Sequence, residues 1–342
     1  MKAVWTMLFL LGWAAGSFGG TWKHYHITQT FDINATQLRL WVPIPYDSDY
    51  QRVAAVNVFG NYERYMRTKD RKYGADTLFF RFDPAQKKNY AVVQYDVAVR
   101  DRTLRKRSDE ALALLRAEVS RYLEPTASIR TDGVVAEYAA RIVDKTDDAM
   151  QKAHKVFDWV VDHMYRDPSV RGCGIGDAYH TLESGYLGGK CADVSAVFVA
   201  LLRASGVPAR EVFGIRIAPS VYSKAYGTKG ETVTTAQHCR AEFYAEPYGW
   251  VPADPADVTK LILVEGLDRN DSKVLFERKR QFGRWEMNWM AYNHARDLVL
   301  RPRPIQYPLS IFGYPYAESG DEPLDYYDPK HFSYTITSER RK

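Results

Sequence analysis

The hydrophobic period of this chain changes twice along its length, and that change limits the possible folds more than any other feature. From residue 21 to about residue 100, short runs alternate apolar with polar side chains, as in Leu38-Arg39-Leu40-Trp41-Val42 and Ala91-Val92-Val93-Gln94-Tyr95. Turn formers such as Asp47-Ser48-Asp49 separate them, which predicts an antiparallel β region. The period then lengthens. Residues 108–122, 133–143 and 146–164 carry apolar side chains at helical spacing, and Thr146 followed by Asp147 and Asp148 makes a capped helix start. Strand-like stretches return at 261–264, 296–300 and 332–336 among Pro-rich turns. Helices set between strand-rich flanks, without regular βαβ alternation, predict an α+β architecture. The expected division of the 342 residues is a β-rich region at 21–105, a core at 106–258 and a β-rich extension at 259–342.

Residues 1–20 begin with Lys2, run apolar from Val4 to Ala15 and finish in small residues before Thr21. That is the layout of a cleavable signal peptide, with Gly16 or Gly19 before the cut; Trp5 and Trp13 would also suit an uncleaved interfacial anchor. No later run approaches about 18 apolar residues, so no membrane span is expected in the mature chain, which should be periplasmic or secreted. The formal charge of +5 favours anionic cell-envelope polymers or membrane surfaces as partners. Arg278, Lys279, Arg280 and Arg284 form the densest basic stretch, but Phe276, Phe282 and Trp285 interleave them as in a solvated strand pair, which argues against nucleic acid.

Chemistry concentrates after a loop holding Gly172, Gly174, Gly176, Gly185, Gly188 and Gly189. Val194, Val197, Phe198, Leu201 and Leu202 have helical period, and Gly206 with Pro208 is a stop signal, so a helix spanning 191–205 opens on Cys191. A helix N-terminus favours a thiolate, and Lys190 adds a cation that Asp193 partly offsets. A cysteine in that place is commonly only a small apolar residue; what distinguishes this one is a partner. His238 opens a hairpin over 237–244 and 250–253 whose second strand ends at Asp254, so folding about a turn near Glu246 sets histidine and carboxylate side by side. A thiol activated by a base, itself oriented by a third group, is the arrangement nucleophilic acyl transfer requires.

Gly189-Lys190-Cys191-Ala192-Asp193-Val194-Ser195 and the run from Leu201 to Arg210 resemble the nucleophile helix of the bacterial transglutaminase-like superfamily. His238-Cys239-Arg240-Ala241-Glu242-Phe243-Tyr244 and Gly249-Trp250-Val251-Pro252-Ala253-Asp254-Pro255 resemble its His and Asp strands, and the close match covers about 159–257. The resemblance implies a papain-like fold, a Cys191-His238-Asp254 triad and an acyl-enzyme formed from a protein or peptide substrate. Hydrolysis by a protease or amidase stands ahead of cross-linking, which needs a site that excludes water. The Cys191 N–H is the natural first oxyanion donor, and Trp159 and Tyr165 are candidates for the second.

One departure bears on activity. Where the family has an aromatic residue two positions after the histidine, this chain has Arg240, on the same strand face. A cation there disfavours the imidazolium unless Glu242 neutralises it. The alternative function is therefore an inactive, envelope-binding member of the family. Cys173 and Cys239 remain; an oxidising compartment would let them pair in a disulfide, and a buried free Cys239 is the alternative. No cofactor or metal is expected: Asp268, Asn270 and Ser272 start like a calcium loop, but glycine is missing at the sixth position and Lys279 stands where its glutamate belongs.

Overall fold

The computed structural model describes residues 21–328 and 332–341. The signal-like residues 1–20 lie outside them. Strands of four or more residues, numbered in chain order, are β1 (Lys23–Asn34), β2 (Leu38–Pro43), β3 (Gln51–Gly60), β4 (Arg64–Lys69), β5 (Asp76–Arg81), β6 (Lys88–Val99), β7 (Ala209–Arg216), β8 (Gln237–Ala245), β9 (Gly249–Ala253), β10 (Trp289–Asn293), β11 (Tyr316–Ser319) and β12 (Tyr334–Arg341). The α-helices are α1 (Asp109–Val119), α2 (Val134–Ile142), α3 (Ala149–His163), α4 (Ala178–Ser184), α5 (Cys191–Ala204), α6 (Pro255–Glu265) and α7 (Ser272–Arg280). The architecture is α+β, as the periodicity predicts.

Strand alternation builds the β-rich part. Along β1, Tyr25, Ile27, Phe31 and Ile33 point inward and are buried, while their neighbours face outward. One sheet has the order β12-β1-β6-β3, and a second runs β11-β2-β5-β4, with the two-residue strand Glu322–Pro323 beyond β11. The last strand pairs antiparallel along the first, from Phe31 opposite Tyr334 to His24 opposite Arg341. The C-terminal segment thus supplies edge strands to both N-terminal sheets, while β10 joins the third sheet.

That third sheet, in the order β9-β8-β7-β10, carries the candidate site. Every residue of α5 from Cys191 to Arg203 is buried, as expected of a helix packed on all sides. It lies on β8 and β7 with α2, α3, α4 and α6 around it. On β8, Cys239, Ala241 and Phe243 join the core beneath α5, whereas Arg240 lies on the opposite face over the Trp289 ring.

Three local expectations are overturned. Residues 261–264 belong to α6, because Asp254 caps that helix, Pro255 stands at its start and Gly266 ends it in the left-handed region. A four-residue apolar run has no period of its own to prevent this. The basic stretch at 278–280 is the last turn of α7, held by Arg278 to Asp158 and Asp162 of α3 (2.6 and 2.5 Å); only Arg284–Trp285 is extended, against Arg102–Thr103. Residues 296–300 form no strand beyond an isolated Leu298–Leu309 bridge. A smaller difference is the cap of α3, where Asp148 rather than Thr146 accepts from the Gln151 N–H at 2.8 Å. No helix among the described residues is long and apolar enough to cross a membrane.

Candidate active site

Cys191 is the first residue of α5, and the loop before it is fastened to the helix by Asp193. The Asp193 carboxylate accepts from the backbone N–H groups of Lys190 (2.8 Å), Gly176 (2.8 Å) and Ile175 (3.0 Å). The carboxylate thus faces the loop. The loop glycines follow from this packing: Gly174 has φ +88°, and a Cβ there would fall 1.9 Å from Asp193 Oδ2. The Ala192 N–H donates to the Cys173 carbonyl (2.8 Å), which draws the loop cysteine to the helix start.

The hairpin delivers the second group. Nε2 of His238 lies 2.8 Å from Oδ2 of Asp254, and both side chains are buried. Asp254 is fixed by position as well as by that bond: it ends β9, and its Oδ1 accepts from the Asp257 N–H (3.0 Å) as the cap of α6. The Trp289 indole donates to the His238 carbonyl at 3.0 Å and anchors that end of β8. With Nε2 turned to the carboxylate, Nδ1 is the ring nitrogen left for a reacting partner.

Three thiols meet at the helix start. The sulfurs of Cys173, Cys191 and Cys239 all lie within 4.8 Å of one another, buried and free, so of the two alternatives for Cys173 and Cys239 the structure has free thiols rather than a disulfide. Hydrogen bonds from Cys173 and then Cys239 draw the Cys191 thiol well below the usual cysteine range; burial opposes them, and His238 adds a further hydrogen bond and its charge. Cys173 and Cys239 are pushed the other way, Cys173 by its bond to Cys191 and Cys239 by burial. Of the three, Cys191 is the one whose thiolate is favoured.

Charges beneath the histidine balance. Arg240, for which Glu242 was the candidate counter-charge, instead shares Asp254 Oδ2 with His238, its Nε standing 3.2 Å from that oxygen. Glu242 is occupied by Arg102 and Arg210. A second carboxylate, Asp257, pairs with Arg216 at 2.5 Å and stands 3.5 Å from His238 Nε2. Among these four groups, two guanidinium groups offset two carboxylates. Burial lowers Arg240 to about 10, still charged at neutral pH, and its head lies 4.8 Å from the Trp289 ring centre and 5.4 Å from that of Trp285.

The remaining candidates are placed as follows. Trp159 is stacked on His163 (4.7 Å) and edge-on to Tyr138 (5.3 Å), as a packing residue of α3. Tyr165 lies over Gly188, three residues before Cys191, and meets Tyr186 edge-on. Asp257 and Arg216 were missed in the sequence, although Asp257 stands three residues after Asp254, at capping-box spacing. Tyr314, whose hydroxyl donates to Cys173 Sγ at 3.2 Å, carried no sequence signal.

A buried helix opening on a cysteine, laid across an antiparallel sheet whose hairpin joins histidine to aspartate, defines a papain-like class of α+β fold. The family model of the transglutaminase-like superfamily matches residues 136–255, which contain α5 and the hairpin from His238 to Asp254. An uncharacterised protein of Haemophilus influenzae is 41% identical over 336 residues, covering 92% of this chain and 91% of that one. A provisionally named cysteine protease from Cytophaga hutchinsonii shares the fold at 12% identity, with a TM-score of 0.55 over 93% of this chain and 98% of that one. The chain belongs to the transglutaminase-like superfamily.

Proposed function

We propose that this protein is an exported cysteine hydrolase that attacks amide or peptide bonds, with Cys191 as nucleophile, His238 as acid and base, and Asp254 as the carboxylate that orients it. The observation carrying the reading is the buried 2.8 Å contact between His238 Nε2 and Asp254 Oδ2 beside a thiol held low at a helix start. The Cys191 thiolate bonds to the carbonyl carbon, the C–N bond breaks, and the amine leaves with the imidazolium proton. Water, deprotonated by His238, then releases the acid and restores the thiol. The Cys191 N–H, one of the donors a helix start leaves unpaired within the helix, faces the developing oxyanion, and Tyr165 rather than Trp159 is the second donor because it lies on the segment beside that start.

Export rests on the signal-like residues 1–20. Hydrolysis is favoured over cross-linking because water is abundant and cross-linking needs a site that excludes it. A screen against peptide and glutamine amides, with Cys191→Ala as control, tests the reading: activity in wild type and none in the variant supports it, and equal activity in both rejects it.

A second reading, an inactive envelope-binding member, has one observation in its favour: Arg240 occupies the same Asp254 oxygen as His238. Iodoacetamide titration separates the two. Selective alkylation of Cys191 near pH 6 that His238→Ala abolishes supports the enzyme, and reactivity no greater than that of a free thiol supports the binding module.

A further inference from the structure

A cleft of about 620 Å³ opens beside Lys190 and Gln237, the residues immediately before Cys191 and His238. Among the described residues its lining includes Arg166, Arg171, Lys190, Arg216, Lys229 and Lys260, and no aspartate or glutamate. Asp325 matches Arg171 at 2.7 Å, and Asp257 matches Arg216 at 2.5 Å. Among the described residues, the other four have no carboxylate within ion-pair distance. Asp167, which feels the charge of Lys190, already accepts from Ser169 and Tyr186.

Arg166 and Lys260 are not simply solvated surface charges. Arg166 Nη1 is buried without a hydrogen-bond partner, and burial holds the Lys260 ammonium down at about 8. Partly buried cations without counter-charge are unfavourable, and a ligand carrying anions would relieve that. The same cleft also offers neutral polar groups. Neither the nitrogen nor the oxygen of the buried Gln237 carboxamide makes a hydrogen bond of good geometry, although the Tyr334 hydroxyl lies beside it, and Thr228 Oγ1 has no partner. A carboxamide presents a donor and an acceptor side by side, the complement of a peptide unit.

We propose that this cleft is the acyl-donor subsite and that it takes an acidic peptide, one whose Asp or Glu carboxylates flank the amide under attack. The proposal rests on the reading of Cys191 as nucleophile. The carboxylates make and break no bond; they hold the chain against Arg166, Lys190, Lys229 and Lys260 while Gln237 pairs with its backbone. An anionic polymer without amides would use the cations and leave Gln237 and Thr228 unpaired, which is why a peptide is the better fit.

The test compares two alkylating reagents of similar size on the whole chain at low ionic strength: anionic iodoacetate and neutral iodoacetamide, with modification of Cys191 followed by peptide mapping. The expected ratio of the iodoacetate rate to the iodoacetamide rate at Cys191 is about tenfold above that for glutathione in the same buffer. It should fall toward the glutathione value in about 0.5 M salt and in Lys260→Gln. Lys229→Gln, at an exposed position, should lower it as well. Polyglutamate should protect Cys191 from iodoacetamide more strongly than polyphosphate of equal charge. A ratio equal to that of glutathione and unmoved by salt or substitution overturns the proposal, as does stronger protection by polyphosphate. If iodoacetamide still labels Cys191 in a His238-dependent manner, the nucleophile stands and only the acidic-peptide assignment falls.

Discussion

Asp254→Asn separates the two roles the structure gives this carboxylate. Its Oδ2 faces both His238 Nε2 at 2.8 Å and Arg240 Nε at 3.2 Å, all buried. Asparagine keeps an oxygen for the α6 cap, so the roughly 1 kcal/mol of that cap is retained. What is lost is the anion. At 3.2 Å and an effective dielectric of about 20 the Asp254–Arg240 attraction is about 5 kcal/mol, and removing one member of a buried pair costs about 3 to 5 kcal/mol. Arg240→Met alone should also destabilise, by leaving the carboxylate under-compensated. The double variant should be more stable than the sum of the two losses by about 2 kcal/mol, read by urea unfolding of all four proteins. Alkylation of Cys191 near pH 6 should behave otherwise: Asp254→Asn lowers it at least about a hundredfold, and adding Arg240→Met does not restore it, because the imidazole has lost its orienting acceptor. Additivity of the two stability losses within about 0.5 kcal/mol would show that Arg240 does not depend on Asp254. Recovery of alkylation in the double variant would show that Asp254 does not orient His238.

Other consequences can be checked separately. Burial alone would raise the Glu242 carboxyl, but Arg102 and Arg210 outweigh it and hold it at about 2 against an ordinary 4.5. The stability this contributes, about 3 kcal/mol, is present above pH 4.5 and lost as pH falls through 2; acid unfolding curves of wild type and Glu242→Gln should differ in that window, and parallel curves would contradict the pairing. Gly174→Ala meets Asp193 Oδ2 at 1.9 Å with φ +88°, so it should destabilise by about 3 kcal/mol and slow Cys191 alkylation. Gly185→Ala, with φ +69° and nothing within 4 Å of its Cβ, should lose only about 1 kcal/mol, and an equal loss at both sites would refute the packing argument. Thiol titration in denaturant without reductant should give three thiols per chain, whereas a single thiol would mean that two of the three cysteines are paired.

The parts legible in the sequence are those coded by near neighbours. The start of α5 at Cys191 and the hairpin that brings His238 to Asp254 depend on periodicity, a stop signal and a turn, all within a short stretch. The helix α6 was coded locally too, but the pair Asp254-Pro255 ends a strand and caps a helix at once, and the apolar run at 261–264 fits either structure. What could not be read depends on residues far apart. Arg102 reaches Glu242 across 140 positions, and Tyr314 reaches Cys173 across 141. The neutraliser of Arg240 proved to be the carboxylate across the hairpin rather than the one two residues along the strand, since the intervening geometry is set by packing and not by spacing. The cationic cleft draws side chains from position 166 to position 260, and no single segment shows it.

With three thiols within 4.8 Å of one another, the central claim reduces to which sulfur carries the acyl group. An activated thioester or anilide of a short peptide, mixed with the protein and quenched in acid, should leave one acyl group per chain, located by mass mapping on Cys191 and absent in His238→Ala. Acylation found on Cys173 or Cys239, or undiminished at Cys191 without His238, would contradict the account.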